Sequence, residues 1–147
     1  LFNSSHLEFL SRYTPSGVIH ASASGSGAEG LHASASAKAL IAHMSPAKKQ
    51  RIINMITFTP YTPKTITTIG AFEKELEEVR KKGFALDKGE FNELLSCVSA
   101  PVLLKGRAVA AITLSGIKLE KRLLQPMSKE LIVRSRQVAH SLSQGIN

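Results

Sequence analysis

The sequence predicts an α+β fold in which antiparallel strands are joined by tight turns and separate helices cover them. Residues 98–104 and 108–115 are aliphatic and β-branched runs, and Lys105, Gly106 and Arg107 separate them, which is typical of an antiparallel hairpin. Helical spacing or helix-start signals occur at residues 33–44, 46–56, 69–82 and 126–143. Together these patterns favour a small sheet flanked by helices.

The length and composition indicate one domain in a reducing compartment. At 147 residues and 43% hydrophobic content, the chain can bury most of its apolar surface in one core. A single cysteine excludes an internal disulfide framework, and no apolar run approaches the roughly 18 residues of a membrane span. We therefore expect a cytoplasmic protein without membrane contact. Leu1 and Phe2 look like the end of a strand, which predicts a missing upstream part.

The basic character of the chain raises nucleic acid as a partner, because clustered Lys and Arg neutralise phosphates. The net charge is +8 and the pI is near 9.9. The basic residues are dispersed, however, over three predicted helices: Lys48, Lys49 and Arg51; Arg80, Lys81 and Lys82; Lys129, Arg134 and Arg136. Each group is typical of a solvated helix face or a helix C-terminus. Direct DNA binding by this chain stays open as an alternative.

A second hairpin is predicted near the N-terminus. Residues 6–13 and 18–23 form its strands, and the segment between them contains Pro15 and Gly17, which favour a turn. Residues 24–30 hold three glycines and two serines but lack the GxxxxGK[ST] pattern of a phosphate-binding loop. We expect them to be a flexible connection.

The first predicted helix, residues 33–44, is rich in Ala and Ser. Its first turn exposes backbone N–H groups beside Ser34 and Ser36, and such a terminus attracts anions. Equally, its small side chains would permit close packing of the helix on a sheet. The next helix begins with Ser45 as N-cap and Pro46 in the first turn.

After the second predicted helix, the sequence predicts a connection and two further helices. The threonine-rich residues 57–68 are expected to form an extended surface connection. The helix at 69–82 is amphipathic, and Gly83 supplies its C-terminal stop. The final helix, 126–143, carries one apolar stripe that is expected to be core or a dimer contact: Met127, Leu131, Val138 and Leu142.

The central hairpin brings several polar side chains to one face. A hairpin loop with an odd number of residues centred on the turn glycine sets Cys97 opposite Ser115. The same register sets Ser99 opposite Thr113. Asp87 ends a short apolar run that enters the same region. A carboxylate, a thiol and hydroxyls on one patch suggest a site for a small polar ligand.

An enzyme or a metal site must also be considered. Cys97 could act as a nucleophile with His32 as base, or could bind zinc with His20, His32 or His43. Nothing in the spacing makes these residues neighbours, and no GxSxG, HExxH, paired CxxC or Walker sequence is present. We therefore expect no catalysis, no metal and no cofactor.

Four ordered motifs carry a resemblance to a known family. GLHASASAKALIAHMSP, GFALD, LLSCVSAPV and the hairpin end AAITLSG resemble the effector-binding domain of IclR-type bacterial transcriptional regulators. The likeness runs from about residue 6 to the C-terminus. His32, Ala33, Ser34 and Lys38 match the segment in which that family enters its first ligand-contacting helix. Ala37 departs from the pattern, since the family usually has Gly there, and the hairpin loop is one residue shorter.

The resemblance implies a fold, a ligand and partners. The fold would be GAF-like, with a central antiparallel sheet flanked by helices, and the ligand a small carboxylate-bearing metabolite. The implied ligand-binding residues are Ala35, Ser36 and Ala37, through their backbone N–H groups, and the side chains of Asp87, Cys97, Thr113 and Ser115. Asp87 would accept a hydrogen bond from a donor at the far end of a hydroxy-, keto- or sugar-type acid.

The same resemblance implies the organisation of the protein. Residues 1–147 would be a single effector-binding domain that lacks its first helix and strand. DNA would be bound only through an N-terminal winged helix-turn-helix that is missing here, in a homodimer or tetramer. The alternative function is that of a stand-alone GAF-like thiol sensor or enzyme that uses Cys97.

Overall fold

The predicted α+β class is confirmed. The computed structural model describes residues 2–3, 6–7, 10–11, 13 and 29–145. The strands are β1 (Phe2–Asn3), β2 (His6–Leu7), β3 (Ala85–Asp87), β4 (Leu95–Leu104) and β5 (Arg107–Ile117). The helices are α1 (Ala35–Ile41), α2 (Pro46–Met55), α3 (Ile69–Lys82) and α4 (Lys121–Gln144).

The central sheet is antiparallel and is covered on both faces. Its strand order is β3-β4-β5. Helix α1 packs on all three strands and on α3, while α4 packs on β4 and β5. Because side chains alternate along a strand, one face of β4 joins the core around α1 and the other face joins the core around α4. The sheet therefore separates two buried clusters.

The register of the hairpin is as predicted, but its loop is not. Cys97 pairs with Ser115, and Ser99 pairs with Thr113. The loop has two residues, Lys105 and Gly106, whose φ angles of 49° and 74° both lie in the left-handed region. Two positive φ angles match a type I′ turn, which suits the twist of a hairpin.

A β-bulge restores the predicted pairing. The register shifts between Val102 and Leu103, which pair with Ala110 and Ala108. Val109 is thus the extra residue that a bulge leaves without a partner. The prediction of an odd-numbered loop was wrong. The predicted register is nevertheless right, because a two-residue turn and a one-residue bulge together shift the strands as a three-residue loop does.

The helix boundaries follow local capping chemistry. Helix α3 has the predicted bounds, and Gly83 ends it with a φ of 79°. Helix α2 begins at Pro46, as predicted. The first predicted helix is instead broken: a 3₁₀ turn at Leu31–Ala33 precedes α1, and Ser34 between them is extended. The Ser34 hydroxyl accepts the Ala37 N–H at 3.4 Å, so this serine starts a new helix.

Helix α4 differs from the prediction in its start and in its buried stripe. It begins before Pro126, which lies inside the helix. Val138 and Leu142 are 40% and 41% exposed, so they are not part of the core, and a dimer contact through them stays a prediction. The buried line consists of Leu124, Ser128, Leu131 and Ser135. The two serine hydroxyls donate to the carbonyls three residues earlier, which satisfies them without water.

The predicted N-terminal hairpin lies largely outside the described residues. Strands β1 and β2 pair antiparallel, but residues 14–28, with the turn, the returning strand and most of the glycine-rich connection, are not described. Among the described helices, none combines the length and apolar character needed to cross a membrane.

Candidate functional site

The centre of the candidate site is a row of three residues across the sheet. Asp87 at the end of β3 pairs with Cys97 on β4, which pairs with Ser115 on β5. Cys97 packs against the core cluster that contains the α1 alanines, so the row faces α1. The structure thus brings together three of the four predicted side chains.

Thr113 joins this row through a buried serine. Ser99 is fully buried, and its hydroxyl oxygen lies 2.8 Å from that of Thr113. The Ser99 hydroxyl also donates to the Ile112 carbonyl at 3.3 Å. Either hydroxyl can donate in the Ser99–Thr113 contact, so Thr113 can act as donor or acceptor there. Thr113 and Ser115 are exposed, whereas Cys97 is half-buried.

Asp87 is buried and organises the turn that follows it. It is 3% exposed, and its Oδ1 accepts the Glu90 N–H at 2.6 Å. Burial raises the pKa of the Asp87 carboxyl, while the N–H groups of Glu90, Gly89 and Phe91 and the charge of Lys38 oppose that rise. Asp87 therefore stabilises the turn that follows it, whether or not it also contacts a ligand.

The environment of the Cys97 thiol favours its neutral form. Burial raises its pKa, a hydrogen bond with the Ser115 side chain opposes the rise, and the Asp87 carboxylate adds to it. A thiol with a raised pKa carries little thiolate near neutral pH, and the thiolate is the reactive form. Cys97 is better suited to packing and weak hydrogen bonding than to nucleophilic attack.

The start of α1 lies on the same side of the sheet. Ala35 and Ala37 are buried, and Ser36 is half-buried with its hydroxyl 3.0 Å from that of Ser34. The Ala37 N–H is taken by the Ser34 cap, while the first helical turn leaves the N–H groups of Ala35 and Ser36 without intrahelical acceptors. The predicted contact of these groups with a ligand stays a prediction.

A buried ion cluster beneath the row was missed by the sequence reasoning. Lys38 on α1 is 0% exposed. Its Nζ lies 2.8 Å from both carboxylate oxygens of Glu90 and 3.5 Å from Oε1 of Glu75. A lysine in the otherwise small and apolar stretch ASAKALI is a signal that could have found it, because a buried ammonium requires a carboxylate partner.

The threonine-rich connection is also part of this region. Thr65 is buried and donates to the Glu90 carbonyl at 2.6 Å, and Thr62 donates to the Gly89 carbonyl at 2.7 Å. The prediction that residues 57–68 are a surface connection was therefore wrong for Thr65, whereas Thr62 is half-buried. Their hydrogen bonds to the Gly89 and Glu90 carbonyls stabilise the turn after Asp87.

Of the histidines considered as base or metal ligands, His32 and His43 have structural contacts, and His20 lies outside the described residues. His32 is fully buried, stacks on Tyr61 at 5.6 Å and donates from Nε2 to the Thr59 carbonyl at 3.0 Å. His43 donates from Nδ1 to the Ala39 carbonyl at 3.1 Å. Burial lowers the pKa of both rings. Within the described residues, no three His, Cys, Asp or Glu side chains are grouped to hold a metal ion.

Comparison with known proteins places the chain in a family. The family described as "Bacterial transcriptional regulator IclR C-terminal" matches residues 5–144. The HTH-type transcriptional regulator BhcR of Paracoccus denitrificans is 32% identical over 116 residues, which cover 77% of this chain and 42% of that protein. The chain thus spans less than half the length of the curated relatives that it matches.

Solved structures agree with this assignment. The C-terminal domain of Escherichia coli KdgR is 26% identical with a TM-score of 0.69, over 75% of this chain and 69% of that one. Thermotoga maritima IclR is 29% identical with a TM-score of 0.70, over 76% and 47%. An IclR homologue from Microbacterium hydrocarbonoxydans, complexed with 4-hydroxybenzoate, has the same fold at 19% identity, with a TM-score of 0.65 over 76% and 46%. The chain belongs to the IclR family of bacterial transcriptional regulators, in its C-terminal region.

Proposed function

We propose that this chain is the effector-sensing domain of a cytoplasmic transcriptional regulator and binds a small carboxylate-bearing metabolite. The observation that carries the proposal is the row of Asp87, Cys97 and Ser115, which runs across the sheet on the face that α1 covers. The exposed hydroxyls of Ser115 and Thr113 extend the row to the surface. A rigid sheet with convergent polar groups suits a small-molecule site.

The chemistry of the row favours an acid that also carries a hydroxyl or another hydrogen-bond donor. Ser115 and the N–H groups at the start of α1 would donate to the carboxylate, while Thr113 and an ionised Asp87 would accept from the donor. The 4-hydroxybenzoate bound to the Microbacterium homologue has both features. We propose the class of hydroxy-, keto- and sugar-type acids for this chain.

The proposed domain acts without catalysis. The raised pKa of Cys97 and the backbone contacts of His32 and His43 support this proposal, since an activated thiol needs a base or a nearby positive field. The alternative, a thiol sensor or enzyme that uses Cys97, requires rapid labelling of Cys97 by iodoacetamide near neutral pH that no acid prevents.

DNA binding would belong to another part of the regulator. We propose that a winged helix-turn-helix reads DNA in a homodimer or tetramer, and that the ligand shifts the population of DNA-competent arrangements. Direct DNA binding by this chain would instead show as a gel shift without sequence preference and with steep salt dependence.

A thermal-shift screen tests the proposed function. Hydroxybenzoates, keto acids and sugar acids are compared with their uncharged methyl esters or amides as matched controls. A ligand selective for the folded state at about one hundred times its Kd adds about 2.7 kcal/mol to the free energy of unfolding. We expect an acid, but not its ester, to raise Tm, and Ser115→Ala to reduce that rise while Ser143→Ala at an exposed site of α4 does not. No response to any acid would contradict the proposal.

A further inference from the structure

The one buried lysine lies beside the candidate site. Among the Lys and Arg side chains that the structure describes, only Lys38 is buried. Both oxygens of Glu90 lie 2.8 Å from its Nζ, and Oε1 of Glu75 lies at 3.5 Å. A buried charge is costly unless it is paired. A cation kept at this place therefore needs a reason beyond packing.

The ion pair leads directly to Asp87. The side chain of Glu90 binds Lys38, and the backbone N–H of Glu90 donates to Asp87 at 2.6 Å. One residue thus joins the ammonium on α1 to the first member of the polar row. Glu90 is therefore the residue through which a change at Lys38 could reach Asp87.

The turn between Asp87 and Glu90 is held by contacts on both of its sides. Gly89 has a φ of 85°, and a β-carbon there would lie 3.2 Å from the backbone of Glu93. Hydroxyls of Thr62 and Thr65 hold the carbonyls on the outer side of the turn. The Lys38 ion pair holds its inner side, so the position of Asp87 depends on contacts from both sides.

The charges around the row explain why a cation is needed. Asp87 from β3 and Lys38 from α1 are the charged groups that act on Cys97, while Glu90 and Glu75 act on Lys38. Glu75 and Glu90 also line a groove of about 270 Å³ between α3 and β3, so these two carboxylates are accessible to water while Lys38 is not. Without Lys38, the charged groups that act on Cys97 and Glu90 would all be carboxylates, which repel a carboxylate-bearing ligand.

We propose that Lys38 is the positioning residue of this site: through Glu90 it fixes the turn that carries Asp87, and its ammonium makes the row acceptable to an acid. This inference rests on the proposed function for the class of ligand. The positioning role itself can be tested without a ligand. Lys38→Met would leave Glu90 and Asp87 without their cation, whereas Lys38→Arg would keep the charge.

The pH profile of iodoacetamide labelling measures this role, because Cys97 is the only cysteine and pairs with Asp87. Removal of a nearby cation disfavours the thiolate, so Lys38→Met should move the midpoint to higher pH and slow labelling at pH 7.5 by roughly threefold. Lys38→Arg should keep the wild-type midpoint. Lys129→Met, an exposed lysine on α4, is the charge-matched control and should leave the profile unchanged.

A purely structural role for Lys38 predicts the opposite sign. Loosening of the site would expose Cys97, which speeds labelling and moves the midpoint down. A midpoint that is unchanged or lower in Lys38→Met, or equally raised in Lys38→Arg, would overturn the proposal. If Lys38→Met does not fold, the paired variant Lys38→Gln with Glu90→Gln removes both charges and should still raise the midpoint.

Protection by an acid separates this inference from the proposed function. With 4-hydroxybenzoate as probe, and with the acid that raises Tm most, protection of Cys97 should be lost in Lys38→Met and kept in Lys38→Arg. Equal protection in Lys38→Met and wild type would overturn the role of Lys38 alone. If no acid protects the wild type while the midpoint still shifts, the proposed function fails and the positioning role stands.

Discussion

The two faces of the sheet are built from different chemistry. On the α4 side, Val98, Ala100 and Leu131 form a cluster of hydrocarbon. On the α1 side, the same strand contributes Cys97 and the buried Ser99, next to a buried ion cluster. Burial of hydrocarbon stabilises a fold without demanding a particular geometry, whereas buried charges and hydroxyls must be paired. The α1 side contains the larger apolar core and also the polar row and the ion cluster, whereas the α4 side packs a smaller hydrocarbon cluster on the sheet.

The largest expected effect is the loss of one partner from the buried ion pair. Glu90→Ala leaves Lys38 with Glu75 alone, and we expect the free energy of unfolding to fall by about 3–5 kcal/mol. Urea denaturation measures this loss. The control is Glu130→Ala, which removes an exposed pair with Arg134 and should cost about 0.5 kcal/mol or less. If the two variants lost equal free energy of unfolding, the buried ion cluster would be no more important to stability than an exposed ion pair.

A cavity on the α4 face should destabilise the fold without changing the site. Leu131→Ala should lower the free energy of unfolding by about 3 kcal/mol, because Leu131 is 3% exposed in the apolar cluster. Val138→Ala on the exposed side of α4 should change it by about 0.5 kcal/mol or less. The labelling midpoint of Cys97 should stay at its wild-type value in both variants. A shifted midpoint in Leu131→Ala would show that the two faces are coupled.

Much of the fold could be predicted because its signals are local. Helix α3 combines an amphipathic pattern with a left-handed glycine at its end, and both are readable in the sequence. The bulge at Val109 could not be predicted, since it depends on how the two strands twist together. The line of buried serines on α4 was missed because hydropathy counts a serine as polar, although its hydroxyl can be satisfied by its own helix.

The site could be predicted in part. Strand alternation and the hairpin register suffice to align Cys97 with Ser115. The ion cluster could not be derived in that way, because Lys38 and Glu90 are 52 positions apart and meet only through the packing of α1 on β3. Thr65 was missed for the same reason, since its partner is a backbone carbonyl that no side-chain pattern reveals.

A matched pair of buried serines compares the two faces more finely. Ser99 and Ser128 are both nearly inaccessible, and each hydroxyl has hydrogen-bond partners. Replacing either with Ala should cost about 1 kcal/mol of unfolding free energy. Only Ser99→Ala should also change the affinity for an acid, because it releases the Thr113 hydroxyl. Isothermal titration measures the affinity. If Ser128→Ala changed it as much as Ser99→Ala, the placement of the ligand site on the α1 face would be contradicted.

The smallest effect is a dependence of stability on pH. Burial lowers the pKa of His43 below its ordinary value of 6.5, so the unfolded chain takes up a proton first as pH falls. Its contribution to stability is complete above pH 6.5 and is lost as pH decreases toward the folded pKa. His32 behaves in the same way. Asp87 and Glu90 act in the opposite sense, because burial raises their pKa and the folded state takes up protons first.

Variants isolate the histidine contribution. Tm is measured between pH 7.5 and 5.5 for wild type, His43→Gln and His140→Gln, in which the exposed His140 serves as control. His43→Gln should have the smaller decrease of Tm on acidification, and His140→Gln should follow the wild type. A wild-type slope in His43→Gln would show that the buried ring is not the group that titrates.

A crystal structure with the acid that raises Tm most tests the central claim directly. We expect its density on the α1 face of the sheet, in contact with Ser115 and Cys97, with the carboxylate toward the start of α1. Density in the groove between α3 and β3, or on the α4 face, would contradict the account.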